Sequence, residues 1–106
     1  MRAGLATAAK TVYSHITKDL EVCGGKACID GTRIRVMDIV SLKRQGYAPE
    51  KMLEAYPSLN LAQAYAALSY SYEHPKEIET SFEEDRSWEA EHQRAKAEYL
   101  NRKPGQ

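Results

Sequence analysis

"GGKACIDGTRIRV", residues 24–36, decides how this chain folds. Two β-favouring runs, Lys26–Ile29 and Thr32–Val36, flank the dipeptide Asp30-Gly31. Asp-Gly between alternating residues is the strongest short hairpin signal, because a tight two-residue turn holds both central residues at positive φ. The spacing therefore predicts a hairpin, with Ile34 and Val36 on one face and Arg33 and Arg35 on the other. Two strands alone are marginal in water, so the ribbon has to lean on helices or on another chain. An outer strand exposes unpaired backbone groups. Pairing with the same strand of a second copy would satisfy them and give a twofold dimer. Thr32, Ile34 and Val36 are the expected dimer contacts.

Working toward the N-terminus, "TVYSHIT", residues 11–17, alternates with β-branched and aromatic residues and reads as a strand. Residues 1–10 have no periodicity and read as a flexible arm. The apolar run Ala3–Ala9 is broken by Gly4 and Thr7 and followed by Lys10, unlike a secretion signal. No stretch approaches the ~18 apolar residues of a membrane span, so a cytoplasmic protein with no membrane contact is expected. Cys23 and Cys28 lack two further metal ligands nearby and are read as small packing residues; no metal or cofactor is expected.

Toward the C-terminus the period becomes helical from Met37, with Ile39, Val40 and Leu42 on one stripe and Gly46 as the stop. "APEKMLEAYP", residues 48–57, offers Pro49 as first helical residue, Glu50 at the positive end, and Met52, Leu53 and Tyr56 as an apolar face. In "NLAQAYAALSYSYEH", residues 60–74, Asn60 and Gln63 have the form of a capping box. Leu61, Ala64, Tyr65, Leu68 and Tyr72 then mark the expected core stripe. Pro75 ends that helix and can begin another. Residues 76–101 are charged and helix-forming, and Ile78, Phe82, Trp88, Ala95 and Tyr99 are spaced too irregularly for one stripe. The expected fold is mainly α with an N-terminal β-hairpin: an arm over 1–10, a domain over 11–75 and an acidic helix and tail over 76–106. Two short helices joined across Pro57-Ser58 have the lengths of a helix-turn-helix.

The 106 residues carry no net charge, but unevenly. Residues 1–51 hold nine Lys/Arg against five Asp/Glu, and residues 73–99 hold four against nine. A basic front and an acidic back imply two partners, two halves of one contact surface, or two solvated faces.

The order of "EVCGGKACIDGTRIRV", "APEKMLEAYPSL" and "AYAALSYSY" resembles the domain-of-unknown-function family numbered 433, over roughly residues 13–80. The resemblance implies a homeodomain-like or winged helix-turn-helix core. It also implies an antitoxin-like role beside a PIN-like ribonuclease toxin. Ala48 stands where the family pattern has Ser or Thr, which loosens that helix start by about 1 kcal/mol. Asn60 replaces a Thr cap and caps well.

No nucleophile–base pair, paired carboxylates or phosphate loop stands out, and His15, His74 and His92 are scattered, so an enzyme is not expected. For double-stranded operator DNA, Gln63 could read adenine, Ser69 and Tyr70 could touch phosphate, and Arg33, Arg35, Lys43, Arg44 and Lys51 could hold the backbone. Helix 60–73 itself holds no Lys or Arg, so a purely structural helix is the competing reading. Phe82, Trp88 and Tyr99 are the candidate toxin contacts, on a helix whose acidity could plug an RNA-binding site. The expectation is an antitoxin-like homodimer that neutralises a PIN-like toxin and binds its promoter. The alternative is a stand-alone dimeric regulator or assembly module without a toxin.

Overall fold

A computed structural model describes the backbone of residues 9–10 and the whole of residues 14–101. The elements run β1 (Ala9–Lys10), β2 (Ile16–Lys18), β3 (Cys28–Ile29), α1 (Val36–Arg44), α2 (Pro49–Ala55), α3 (Leu61–Glu73) and α4 (Pro75–Asn101). The chain is thus mainly helical with an N-terminal antiparallel hairpin. The three strands lie in chain order, with Lys10 opposite Thr17 and Ile16 opposite Ile29. Residues 1–8 of the expected arm and 11–13 of the expected strand lie outside the described residues. Ala9 and Lys10, also assigned to the arm, are β1 instead.

The ribbon of residues 26–36 is a turn but not the hairpin expected. Thr32 N–H donates to Ile29 O at 3.0 Å, and Gly31 alone takes the positive φ (81°) that the tight hairpin turn would need at Asp30 as well. Beyond it, Ile29 N–H donates to Ile34 O (2.8 Å) and Val36 N–H to Ala27 O (2.9 Å), a single bridge before α1 begins. The Asp38 carboxylate at the third helical position accepts the Arg35 N–H at 2.8 Å and so caps α1. An arm that must turn into a helix at Val36 has no length left to become a strand.

Gly46 (φ 98°) closes α1 as its sequence position implied. Tyr47 N–H reaches Leu42 O, and Gly46 N–H reaches Lys43 O, the paired bonds of a Schellman end. Asn60 and Gln63 exchange bonds across the start of α3: Gln63 N–H to Asn60 Oδ1 (2.9 Å) and Asn60 N–H to Gln63 Oε1 (2.8 Å).

Ile16, Ile29, Val36, Ile39, Met52, Ala64, Ala67 and Leu68 form the centre of one core between sheet and helices. The face α3 buries is rotated from the expected stripe. Ala64, Ala67, Leu68 and Tyr70 point inward, whereas Leu61, Tyr65 and Tyr72 stay open to solvent. Small alanines let α1 approach α3 closely, and the large tyrosines are left on the outer side. α4 begins against this core through Ile78 and Ser81, and every residue from Arg86 to Asn101 is exposed. At a rise of ~1.5 Å per residue, the last 16 residues project ~24 Å beyond the domain.

Candidate functional site

Basic front and acidic back meet within the chain. Lys18 Nζ lies 3.1 Å from Glu77, Lys26 Nζ 2.7 Å from Glu84 and Arg35 Nη1 3.5 Å from Asp85, while Arg44 pairs with Glu79. Four acids of the inner half of α4 thus clasp four cations: Lys18 of β2, Lys26 just before β3, Arg35 at the cap of α1 and Arg44 at its end. Arg35 is held further by Asp38, at 2.9 Å from Nη2 and 3.3 Å from Nε. That hydrogen bonding raises the guanidinium above its ordinary pKa against the opposing pull of partial burial. The Arg44 guanidinium sits 4.5 Å above the Phe82 ring.

These contacts reassign several candidate residues. Arg35 and Arg44, expected on DNA, tie α1 to α4. Phe82, expected on a toxin, packs against the core beneath Arg44. Lys51 makes only a surface pair with Glu54 at 3.4 Å, a weak contact. Arg33 and Lys43 have no acidic partner among the described residues, and Arg33 is exposed.

On α3, Gln63 spends its side-chain carbonyl on the cap. Tyr70 is buried, donates its hydroxyl to Glu77 at 2.9 Å and stacks on His74 at 4.3 Å between ring centroids. The carbonyl that Gln63 would need for a two-point adenine contact is therefore taken, and the Tyr70 hydroxyl is already committed to Glu77. Ser69 does face outward. It lines a groove of about 600 Å³ with Lys43, Tyr47, Tyr65 and Tyr72, where the end of α1 meets the start of α2 and the open side of α3. Lys51 stands beside the same Gly46–Tyr47 corner. This groove joins aromatic rings, a hydroxyl and the Lys43 ammonium on one surface, with the weakly paired Lys51 beside it, a combination that can stack on rings and hold anions. Sequence reasoning missed Tyr65 and Tyr72 by placing them in the core. The alanines at 64 and 67, spaced for a close helix crossing, were the available signal.

The ribbon offers no open edge at the expected dimer contacts. Thr32 N–H goes to Ile29 O, Ile34 N–H to Thr32 Oγ1 at 3.0 Å, and Val36 N–H to Ala27 O. Val36 is fully buried in its own core and Ile34 packs against it. Backbone already paired within the chain cannot drive strand addition, so Thr32, Ile34 and Val36 form no open strand edge for a second copy.

Trp88 and Tyr99 do stand in the open, 61% and 62% exposed, on the outer half of α4. Trp88 stacks on His92 one turn later, at 4.5 Å between centroids. The outer half is not acidic: residues 86–101 hold Arg86, Arg94 and Lys96 against Glu89, Glu91 and Glu98. The acidity of the C-terminal segment belongs to its docked half, where it is neutralised inside the molecule.

Both cysteines are free thiols. Cys28 is completely buried, and that burial, with Cys23 as neighbour, pushes its thiol up to about 11. Cys23 Sγ donates to Arg33 O at 3.2 Å. Among the described residues no group of three or more His, Cys, Asp or Glu is placed to hold a metal ion, and no helix is long and apolar enough to cross a membrane.

Comparison with known proteins matches residues 16–71 to the family described as "Protein of unknown function (DUF433)". "Uncharacterized protein y4eO" of Sinorhizobium fredii (strain NBRC 101917 / NGR234) is 33% identical over 60 residues, 57% of this chain. The match spans only 27% of that relative's length. The crystal structure of a DUF433 member from Anabaena variabilis ATCC 29413 is similar with a TM-score of 0.60 and 34% identity. That similarity covers 63% of this chain and 66% of the other. The outer half of α4 lies beyond the matched family segment.

Proposed function

This chain belongs to the DUF433 family, and from that premise we propose that it is an antitoxin-like binding protein. In this reading the outer half of α4 is the protein-binding surface, and its aromatic residues contact a PIN-like ribonuclease toxin. The observation that supports it most is the projection of the exposed Trp88 and Tyr99 on helix that none of the described residues of the domain covers. Aromatic side chains on a rigid element are the usual anchors of protein interfaces. Because the projecting half is charge-balanced, the contact is an apolar one rather than an acidic plug.

The second surface in this proposal is the open side of α3. α2 and α3, joined through Tyr56–Asn60, serve as a helix-turn-helix within a homeodomain-like or winged core. Lys43 and Lys51 hold DNA phosphates, while Ser69, Tyr65 and Tyr72 face the groove of the duplex. Two such surfaces in a homodimer would read a two-part operator. The alternative remains a dimeric regulator or assembly module with no toxin.

Co-production with the product of the adjacent reading frame tests the first surface. The chain captures that product and suppresses its ribonuclease activity, and replacing both Trp88 and Tyr99 by alanine abolishes capture. Capture untouched by the double substitution would remove α4 from the reading. For the second surface, a gel shift on upstream DNA is repeated as salt is raised. Lys43→Ala with Lys51→Ala lowers affinity for all sequences and flattens the salt dependence by a slope of about 1 to 2.

A further inference from the structure

The outer half of α4 carries a second regularity. Ile78, Ser81, Asp85, Trp88, His92, Ala95 and Tyr99 follow one another at alternating steps of three and four, a continuous line along one side of the helix. The domain covers the beginning of that line, where Ile78 and Ser81 are buried and Asp85 pairs with Arg35. From Trp88 onward the same line is bare.

We infer that the bare line pairs, antiparallel, with the same segment of a second copy of this chain. This rests on the reading of outer α4 as a protein-binding surface and names its partner in the free protein. The positions are matched end for end. In the antiparallel register, Trp88 meets Tyr99 of the copy, and His92 meets Ala95 of the copy, so a ring always faces a ring and the imidazole faces a methyl. Along one edge of the pair, Glu89 faces Lys96 of the copy, twice by symmetry. Along the other edge, Arg94 sits three residues after Glu91 and four before Glu98, offsetting the approach of like carboxylates. The segment's balanced charge leaves no net repulsion to overcome. A parallel pair is ruled out sterically, because both domains would occupy the same line at the same height over Ile78–Asp85. The antiparallel pair instead sets the domains at opposite ends, with the two Asp85 positions ~26 Å apart along the axis. A toxin directed to the same stripe competes with the copy.

Sedimentation equilibrium of the full chain, from roughly 5 to 500 µM, tests this. The mean mass rises with concentration from 12.0 kDa toward twice that value. Trp88→Ala with Tyr99→Ala weakens association at least tenfold at unchanged helical content by circular dichroism. Glu89→Lys and Lys96→Glu each weaken it several-fold, and the two together restore it, because the swapped charges again face each other across the pair. A chain that stays monomeric throughout, or a dimer indifferent to both sets of substitutions, overturns the inference. If the wild type is monomeric but Trp88 and Tyr99 are still needed to capture the neighbouring product, self-pairing fails and the proposed function stands.

Discussion

Arg35 shows at the scale of one residue why a cation in sequence is not yet a phosphate contact. Its alternation with Arg33 was legible, and both were expected on one open face. The chain has no room for a strand past residue 34, so Arg35 lands at a helix start between Asp38 and Asp85, and only Arg33 is left exposed. Arg35→Ala would leave the Asp38 carboxylate without its guanidinium donors at a partly buried site, a loss of about 1–3 kcal/mol by urea denaturation. The same substitution leaves DNA affinity where Lys43→Ala lowers it. A stable Arg35→Ala variant with weakened DNA binding would contradict the assignment. Cys28 makes a different prediction. Burial favours the neutral thiol, so the folded chain keeps a proton that the unfolded chain releases near its ordinary value of 9.0. The fold therefore loses stability as pH rises from about 9 toward about 11. Melting temperatures over this range fall less steeply in Cys28→Val than in wild type, and equal slopes would sink the argument.

At the scale of the element, capping chemistry transferred almost unaltered from sequence to structure because it is local. Asn60 with Gln63, Gly46 after α1 and Pro49 at the first position of α2 each occupy the position their side-chain chemistry implies. Asn60→Ala removes the side-chain oxygen that accepts the Gln63 N–H, at a cost of about 1 kcal/mol in equilibrium unfolding; a change under about 0.3 kcal/mol would contradict that role. Which face of a helix is buried depends on its neighbours, and there the reading of α3 slipped by a residue. Tyr65 and Tyr72 were judged by size, while the closely packed side used Ala64 and Ala67. The stripe of α4 was hidden for a related reason: its members include a serine, an aspartate and a histidine, which an apolar count passes over.

At the scale of the whole molecule, zero net charge conceals an internal complementarity. The excess acids of residues 73–85 neutralise the excess bases of the front, through Lys18, Lys26, Arg35 and Arg44. Two oppositely charged surfaces were legible; that they close on each other depends on where Pro75 redirects the chain. Among the described residues, the tyrosine-lined groove, the exposed Arg33 and the bare end of α4 stay open to partners. Ending the chain after Ser87 removes, among the described residues, only exposed ones, and at low micromolar concentration leaves the melting temperature within about 2 °C of the full chain. Ending it before Glu77 removes acids of all four ion pairs together with Ile78, and lowers the melting temperature by more than about 10 °C.

The division of α4 into an anchored half and a free half is tested most directly by backbone hydrogen exchange on the full chain, at low micromolar and at several hundred micromolar concentration. Amides of residues 79–85 exchange slowly at both. Amides of residues 89–99 exchange rapidly when dilute and become protected as concentration rises, except in the Trp88→Ala, Tyr99→Ala variant. Equal protection along the entire helix at the lowest concentration, or equally rapid exchange along it, would contradict the account.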